Sequence, residues 1–528
     1  MPSIYNAHPH FDCSHTIAVV HNGVVDNFLE LKEELQSRGH KFESETDTEV
    51  IPHLIEEFMD RGLSLPDAVR EVTRRIRGTY AIVAMTARSP DKIVCTRDGN
   101  PLVIGRREGA SYVSSDIPAF LPMTNNMILL LDGEIAILTA DDVEIRKLSD
   151  GSIVTREAIT ISWTADQAQK GGYPHFMLKE IHEQPDAIRN TLRIRKDVFD
   201  SAAKIVASSR RVFMTAMGTS GHAALAGRHM FASFAGILPS FELASDFPDT
   251  VYDTLTTDDC VIAITQSGET SDTIFAVKHA KRLGAKVIAI TNVVGSSVTR
   301  FADRIIITQA GPEIGVAATK TFMVQLTALA LLALATGMLT QYRSREFIEA
   351  KYASLNTLPN IVSETIVRNE EVARQAAEKY YNRASFLFLG RGISIATALE
   401  GALKLKEISY NHAEGYSAGE SKHGPIALVE EGFPVVFVAP NDATRDRLIG
   451  NIMEMKARGA SILAVIERGD GDLKHLADDV FEIPEGVEPE FSTMAFVVPL
   501  QILSYYMATR RGHDPDKPRN LAKSVTVL

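Results

Sequence analysis

Two stretches of this chain follow one pattern of buried strand, small polar turn and helix, at a constant spacing. RVFMTAMGTS (211–220), CVIAITQSGETSDT (260–273) and KVIAITN (286–292) form the first series. SFLFLGRGIS (385–394), PVVFVAPNDATRD (434–446) and SILAVIE (461–467) form the second. Pairing Gly218 with Gly392 and Val261 with Val435 gives an offset of 174 residues both times, and pairing Lys286 with Ser461 differs from it by one. The chain therefore carries an internal duplication. Strands that are apolar throughout, rather than alternating, are covered on both faces, and their alternation with helices calls for parallel sheets. This predicts two doubly wound α/β domains, over 200–343 and 375–512, followed by a tail at 513–528.

The first 155 residues differ. IAVV (17–20), TYAIVAM (79–85), KIVCT (92–96), LVIG (102–105) and MILLL (127–131) read as strands, with Asp132-Gly133 as a hairpin turn into EIAIL (134–138). Three helical stretches, NFLELKEELQSRG, TDTEVIPHLIEEFMDRG and SLPDAVREVTRRIRG, lie between the first two strands and end on glycine. The expectation is an α+β domain with antiparallel sheets over 1–155, joined to the repeats by a polar connector over 156–199. At 528 residues the chain exceeds one hydrophobic core, so several domains are in keeping with its length.

With 55 basic and 67 acidic residues the net charge is −12, a field that repels nucleic acid and anionic membrane. Three cysteines, Cys13, Cys95 and Cys260, have no regular spacing, which excludes a disulfide framework and a zinc knuckle and fits a reducing cytoplasm. No metal and no cofactor is implied. The N-terminus lacks the basic and apolar regions of a secretory signal. The apolar run Leu326 to Leu339 is shorter than the ~20 residues of a membrane span and reads as a buried helix.

In open parallel sheets, ligands bind beyond the carboxyl ends of the strands. The turn Thr265-Gln266-Ser267-Gly268-Glu269-Thr270 offers hydroxyls, an amide and backbone N–H groups there, without the lysine of a nucleotide P-loop. This points to a phosphate monoester, the alternative being that Ser and Thr cap the next helix. Gly218-Thr219-Ser220 is a second such turn. In EGALKLKEISYNHAEGYSAGESKHGP (400–425), Glu400, Lys404 and Glu407 fall on one helix face, while Ala402, Leu403, Leu405 and Ile408 leave that helix little free surface. The charges are either a solvated stripe or a cavity wall suited to acid/base work. His423 stands in a Gly/Pro-flanked loop with a usable pKa. Pro515 and Pro518 stiffen the tail, whose VTVL end suits a groove, and Lys523 would then be an amine available for Schiff-base chemistry.

The segments GTS, QSGETSDT, GRG, EGALKLKEISY, SKHGP and RNLAKSVTV resemble the SIS (sugar isomerase) domains of the isomerizing glutamine–fructose-6-phosphate aminotransferase family, from about residue 175 to the end. NAHPH, HNGVVDN and SETDTEV resemble the later part of that family's class II glutamine amidotransferase domain, an Ntn-type fold. The resemblance implies that Thr219, Ser220, Thr265, Gln266, Ser267 and Thr270 hold the sugar phosphate. Thr265 stands where serine is frequent, Ala318 replaces a frequent serine, and Met217 stands where cysteine is often found. It further implies that His423, reaching in from a neighbouring subunit of a homodimer, opens the furanose ring. Lys523 would form an imine with the ketose, ammonia would replace that amine, Glu407 would move a proton from C1 to C2, and Lys404 would assist oxygen protonation. The substrates would be fructose 6-phosphate with glutamine or ammonia, and the product glucosamine 6-phosphate. Asn22 and Gly23 correspond to a glutaminase oxyanion hole and Asp47 to the carboxylate holding the glutamine amine.

The family's nucleophile is an N-terminal cysteine with its own α-amine as base. Removal of Met1 here would expose Pro2, and the only tryptophan is Trp163. The expectation is a chain truncated within its amidotransferase domain, lacking glutaminase and using ammonia or isomerising at most. Two other readings are a sugar-phosphate-binding SIS regulator and a sugar-phosphate isomerase or deaminase. Lys404, Glu407, His423 and Lys523 together speak against the first, and the amidotransferase remnant against the second.

Overall fold

The structure, a computed structural model, describes residues 4–161 and 169–523; Pro2, Trp163 and the VTVL end lie outside them. The chain divides into two compact units, Met1–Gln169 and Lys170–Ser524.

The first unit is an antiparallel α+β sandwich. A seven-stranded sheet runs in the order His10–Phe11, Ile17–Val25, Gly78–Thr86, Ile93–Asp98, Glu134–Leu138, Val143–Lys147, Ile153–Val154. A four-stranded sheet runs Ile159–Thr160, Asn126–Leu129, Val103–Arg107, Ala110–Ser114. Helices Phe28–Ser37, Val50–Asp60 and Leu65–Arg75 bury Leu31, Leu35, Ile51, Leu54, Val69 and Val72 against Ile17, Val19 and Ile82 of the larger sheet.

Two strand expectations change. The strand expected over 17–20 continues to Val25, because Asn22 and Gly23 stay in register with Ala81 and Tyr80 instead of ending the ladder. The hairpin expected at Asp132-Gly133 is absent: Asn126–Leu129 pairs in the smaller sheet and Glu134–Leu138 in the larger. The turn carries the chain across the sandwich, so that Ile128 and Leu130 meet Ala136 and Leu138 in one buried cluster.

The second unit contains the duplication as two five-stranded, all-parallel sheets. Their orders are Ser240–Leu243, Arg211–Ala216, Asp259–Ile264, Lys286–Thr291, Arg304–Ile307 and His412–Ser417, Ser385–Gly390, Pro434–Ala439, Ser461–Glu467, Asp479–Ile483. Each sheet starts in its middle and reverses direction of winding beside its first strand, which opens a crevice between the first and third strands. One continuous core joins both halves, built from Phe231, Phe234, Leu326, Leu329, Leu355, Leu405, Phe496 and Leu500 among others. The apolar run lies in the helix Lys320–Thr340, which at 21 residues is long enough to span a membrane but has 89% of its most apolar window buried in this core.

The stretch taken as connector (156–199) holds the helices Phe176–His182 and Gln184–Leu192 and the start of Lys196–Ser208. They are packed rather than linking elements, since Met177, Ile181 and Ile188 are fully buried in the shared core.

Candidate functional site

The helix Gly218–Ala235 follows directly on the strand Arg211–Ala216, and the turn 265–270 follows on the neighbouring strand Asp259–Ile264. Both polar turns therefore emerge at the switch point of the first parallel sheet. Within the second turn, the Thr265 hydroxyl accepts the Gly268 N–H at 3.2 Å and lies 3.2 Å from the Thr270 hydroxyl. Ser267 Oγ accepts the Glu269 N–H at 3.1 Å. Glu269 braces the turn by accepting both the N–H and the hydroxyl of Ser297, at 2.8 and 2.7 Å. The Gln266 carbonyl accepts the Asn292 N–H at 3.0 Å. Gly268 has φ +69°, and a Cβ there would fall 2.0 Å from Ser296 Oγ, so glycine is required at that position. Thr270 occupies the N-cap of Ser271–Arg282 without a side-chain cap bond, which argues against simple helix capping as the purpose of its hydroxyl.

The charged face of Ser394–Ser409 meets the first turn. Lys404 Nζ donates to Thr219 Oγ1 at 3.0 Å and to Glu407 Oε2 at 2.6 Å, and stands 3.4 Å from Glu400 Oε1. Glu400 accepts from Thr219 Oγ1 at 3.1 Å and lies 2.7 Å from His222 Nδ1. Lys404 and Glu400 are fully buried, whereas Glu407 keeps 21% of its side chain exposed. This excludes the solvated-stripe alternative. Burial alone would lower the pKa of Lys404, but Glu400 and Glu407 beside it raise it well above the ordinary lysine value. The group thus has a fixed buried cation, one buried carboxylate locked on both sides, and one carboxylate open to a ligand.

The tail is held by specific contacts. Asp516, nearly buried, accepts the N–H groups of Phe176 and Met177 at 2.8 Å each, at the start of their helix. The Tyr410 hydroxyl accepts the Arg519 N–H at 2.8 Å. Lys523 Nζ reaches Glu313 Oε2 at 2.5 Å and the Gly315 carbonyl at 2.8 Å. Burial would raise the Glu313 carboxyl, but Lys523 and the Thr319 and Thr321 donors hold it below its usual value. Glu180, which accepts the Ile314 and Gly315 N–H groups, is shifted the other way by burial and by the charge of Glu313. Helix Lys320–Thr340 connects this loop to the first turn, because Gln325 Nε2 donates to Ser220 Oγ at 2.9 Å.

His423 stands apart. It is exposed on the short 3-10 turn Glu420–His423 and makes no hydrogen bond or ion pair with Glu400, Lys404 or Glu407 among the described residues. Sequence reasoning missed Glu180, His222, Glu313 and Gln325. The only local sign was that Glu313 and Glu180 fall in the apolar contexts EIGVAATK and FMLKEIHEQP.

In the first unit, Asn22 and Gly23 lie on Ile17–Val25, and the Asn22 carbonyl accepts Asn100 Nδ2 at 2.7 Å. Asp47 Oδ2 accepts the Val25 N–H of the same strand at 2.7 Å, which places Asp47 beside the strand end that carries Asn22 and Gly23. Cys13 is embedded in the chain and its peptide N–H donates to Glu56 Oε2 at 3.3 Å. Although the sequence implied no metal, the fold brings together one group of potential metal ligands among the described residues: Cys13, His40, His53 and Glu56.

Known proteins bear directly on this arrangement. The SIS domain family matches residues 205–335 and 379–511, and the glutamine amidotransferase domain family matches residues 4–122. The isomerizing glutamine–fructose-6-phosphate aminotransferase of Thermococcus kodakarensis is 48% identical over 527 residues, covering all of this chain and 87% of the relative. Its counterpart from Methanothermobacter thermautotrophicus is 46% identical over 529 residues with the same coverage. Among solved structures, the C-terminal domain of glucosamine-fructose-6-phosphate aminotransferase from Francisella tularensis covers 66% of this chain and all of that one, at 35% identity and TM-score 0.62.

Proposed function

The chain belongs to the family of isomerizing glutamine–fructose-6-phosphate aminotransferases, and on that premise we propose that its second unit converts fructose 6-phosphate to glucosamine 6-phosphate. The observation that carries this reading is the buried Glu400–Lys404–Glu407 group placed on Thr219 of the sugar-phosphate turn. A protein that only binds a sugar phosphate has no use for a carboxylate and an ammonium locked together there.

In this reading the hydroxyls of Thr219, Ser220, Thr265, Ser267 and Thr270, with Gln266, hold the phosphate. Lys523 supplies the amine that condenses with the open ketose, and ammonia displaces it. Glu407, the open carboxylate, takes a proton from C1 and returns it to C2, while Lys404 donates toward the sugar oxygen and to Glu407. Asn22, Gly23 and Asp47 are the glutamine-side residues of the first unit, and glutamine or ammonia is the nitrogen source. The test is product formation by the full chain from fructose 6-phosphate and ammonium. Ser267→Ala is expected to weaken sugar-phosphate binding about fivefold, the effect of losing one hydrogen bond. An unchanged affinity by calorimetry removes the turn from the site.

His423 is exposed and makes no hydrogen bond or ion pair with the charged group of its own chain among the described residues, which supports a role at a neighbouring subunit in a homodimer. Mixing inactive His423→Ala with inactive Glu407→Ala chains is expected to restore activity, because a hybrid dimer contains one site with both residues intact. Subunit exchange without any recovery excludes the shared site.

A further inference from the structure

We propose that Cys13, His40, His53 and Glu56 form a tetrahedral zinc site in the first unit. The four residues come from three separate places: Cys13 from the turn between the strands His10–Phe11 and Ile17–Val25, His40 from the loop after Phe28–Ser37, and His53 and Glu56 from one face of Val50–Asp60. Their ligand atoms converge. Cys13 Sγ lies 3.4 Å from His40 Nδ1 and 3.5 Å from His53 Nδ1, and the two Nδ1 atoms are 3.3 Å apart. Glu56 Oε2 lies 3.0 Å from His40 Nδ1 and 3.5 Å from His53 Nδ1. All four atoms fall within 4.8 Å of one another.

Four of these five spacings, at 3.3–3.5 Å, fit the edges of a coordination tetrahedron, and the Glu56–His40 spacing of 3.0 Å is shorter. Zinc bonds of about 2.0–2.3 Å to nitrogen, oxygen and sulfur place neighbouring ligand atoms roughly 3.3–3.6 Å apart. A purely hydrogen-bonded cluster fits less well, because a proton joins one pair at a time. Here each histidine nitrogen is near the sulfur, the carboxylate and the other nitrogen at once. Both rings also turn the same atom inward and the other outward to a carboxylate: His53 Nε2 lies 3.7 Å from Glu49 Oε1, and His40 Nε2 lies 3.7 Å from Glu57 Oε1. Both contacts are longer than a hydrogen bond; a carboxylate that closes on a ligating imidazole fixes its tautomer and strengthens it as a ligand.

The donor set suits a borderline divalent ion better than calcium or magnesium, which favour oxygen. Binding would release the thiol proton to solvent, leaving one thiolate, one carboxylate and two neutral imidazoles around a dication. The centre is then electrically neutral, as a site containing the buried His53 requires. Four protein ligands leave no open position, so the role is structural: the ion would tie the first strand turn to two helical elements. A surface cavity of about 400 Å³ lined in part by Cys13, His40 and Glu56 gives access for the ion.

The experiment uses the full chain, stripped with a chelator and titrated with zinc alone. About one tightly held zinc per chain is expected. Cobalt(II) in its place should give the intense visible bands of a tetrahedral centre and a thiolate-to-cobalt charge-transfer band. Cys13→Ser, at an exposed position outside the core, should abolish the charge-transfer band and weaken zinc at least tenfold. His40→Gln should weaken zinc without involving the buried His53. Failure to bind zinc, a weak octahedral cobalt spectrum, or affinity and spectrum unchanged in both variants overturns the proposal.

Discussion

Glu407→Gln is expected to remove aminosugar formation while leaving the chain folded. The substitution keeps the size of the side chain and an oxygen that can still accept from Lys404, now at 2.6 Å from the carboxylate. It removes the proposed base. A positioned general base contributes typically about 10²–10⁴ in rate, so the loss should fall on kcat, with little change in affinity for the sugar phosphate. Stability should change little, because Glu407 is the one partly exposed member of the group and Glu400 still faces the ammonium at 3.4 Å. Turnover measured beside a calorimetric melting curve decides the matter. A variant that melts far below the parent protein, or that retains most of its turnover, shows Glu407 to be a structural ion-pair partner.

Such a separation of roles was only partly legible in the sequence. The spacing of Glu400, Lys404 and Glu407 gave a single helix face from periodicity alone, and the apolar residues between them argued for burial. What buries them was not legible: Thr219 and His222 lie 181 and 178 residues earlier. The Lys523–Glu313 pair, 210 residues apart, is hidden for the same reason, although two prolines marked the tail as more than a loose end. The duplication told of two parallel sheets because continuous apolar strands have one structural meaning. The Asp132-Gly133 turn was ambiguous, since a tight turn reverses the chain without specifying whether the next strand joins the same sheet or the opposite one. The ligand cluster of the first unit shows only His53 and Glu56 as an i, i+3 pair, a spacing too common on helices to indicate a metal.

Lys404→Met, unlike Glu407→Gln, should destabilise the second unit as well as silence it. Lys404 is fully buried and its ammonium compensates two carboxylates, one of which, Glu400, has no exposure to water. Methionine matches the aliphatic stem but leaves that negative charge unpaired except for His222 and Thr219. Removing one partner of a buried ion pair costs about 3–5 kcal/mol, because the remaining charge has lost its compensation. The melting transition of the second unit should therefore drop markedly in calorimetry. Adding Glu400→Gln to Lys404→Met should recover part of that loss, since the double variant no longer buries the stranded charge, while activity stays absent in both. A single variant as stable as the parent protein would mean that His222 already balances Glu400, and the buried triad would lose its structural meaning. If instead the double variant is less stable than the single one, Glu400 contributes through its bonds to Thr219 and His222 rather than through its pairing with Lys404, and the helix is held to the Gly218–Ser220 turn by hydrogen bonds more than by charge.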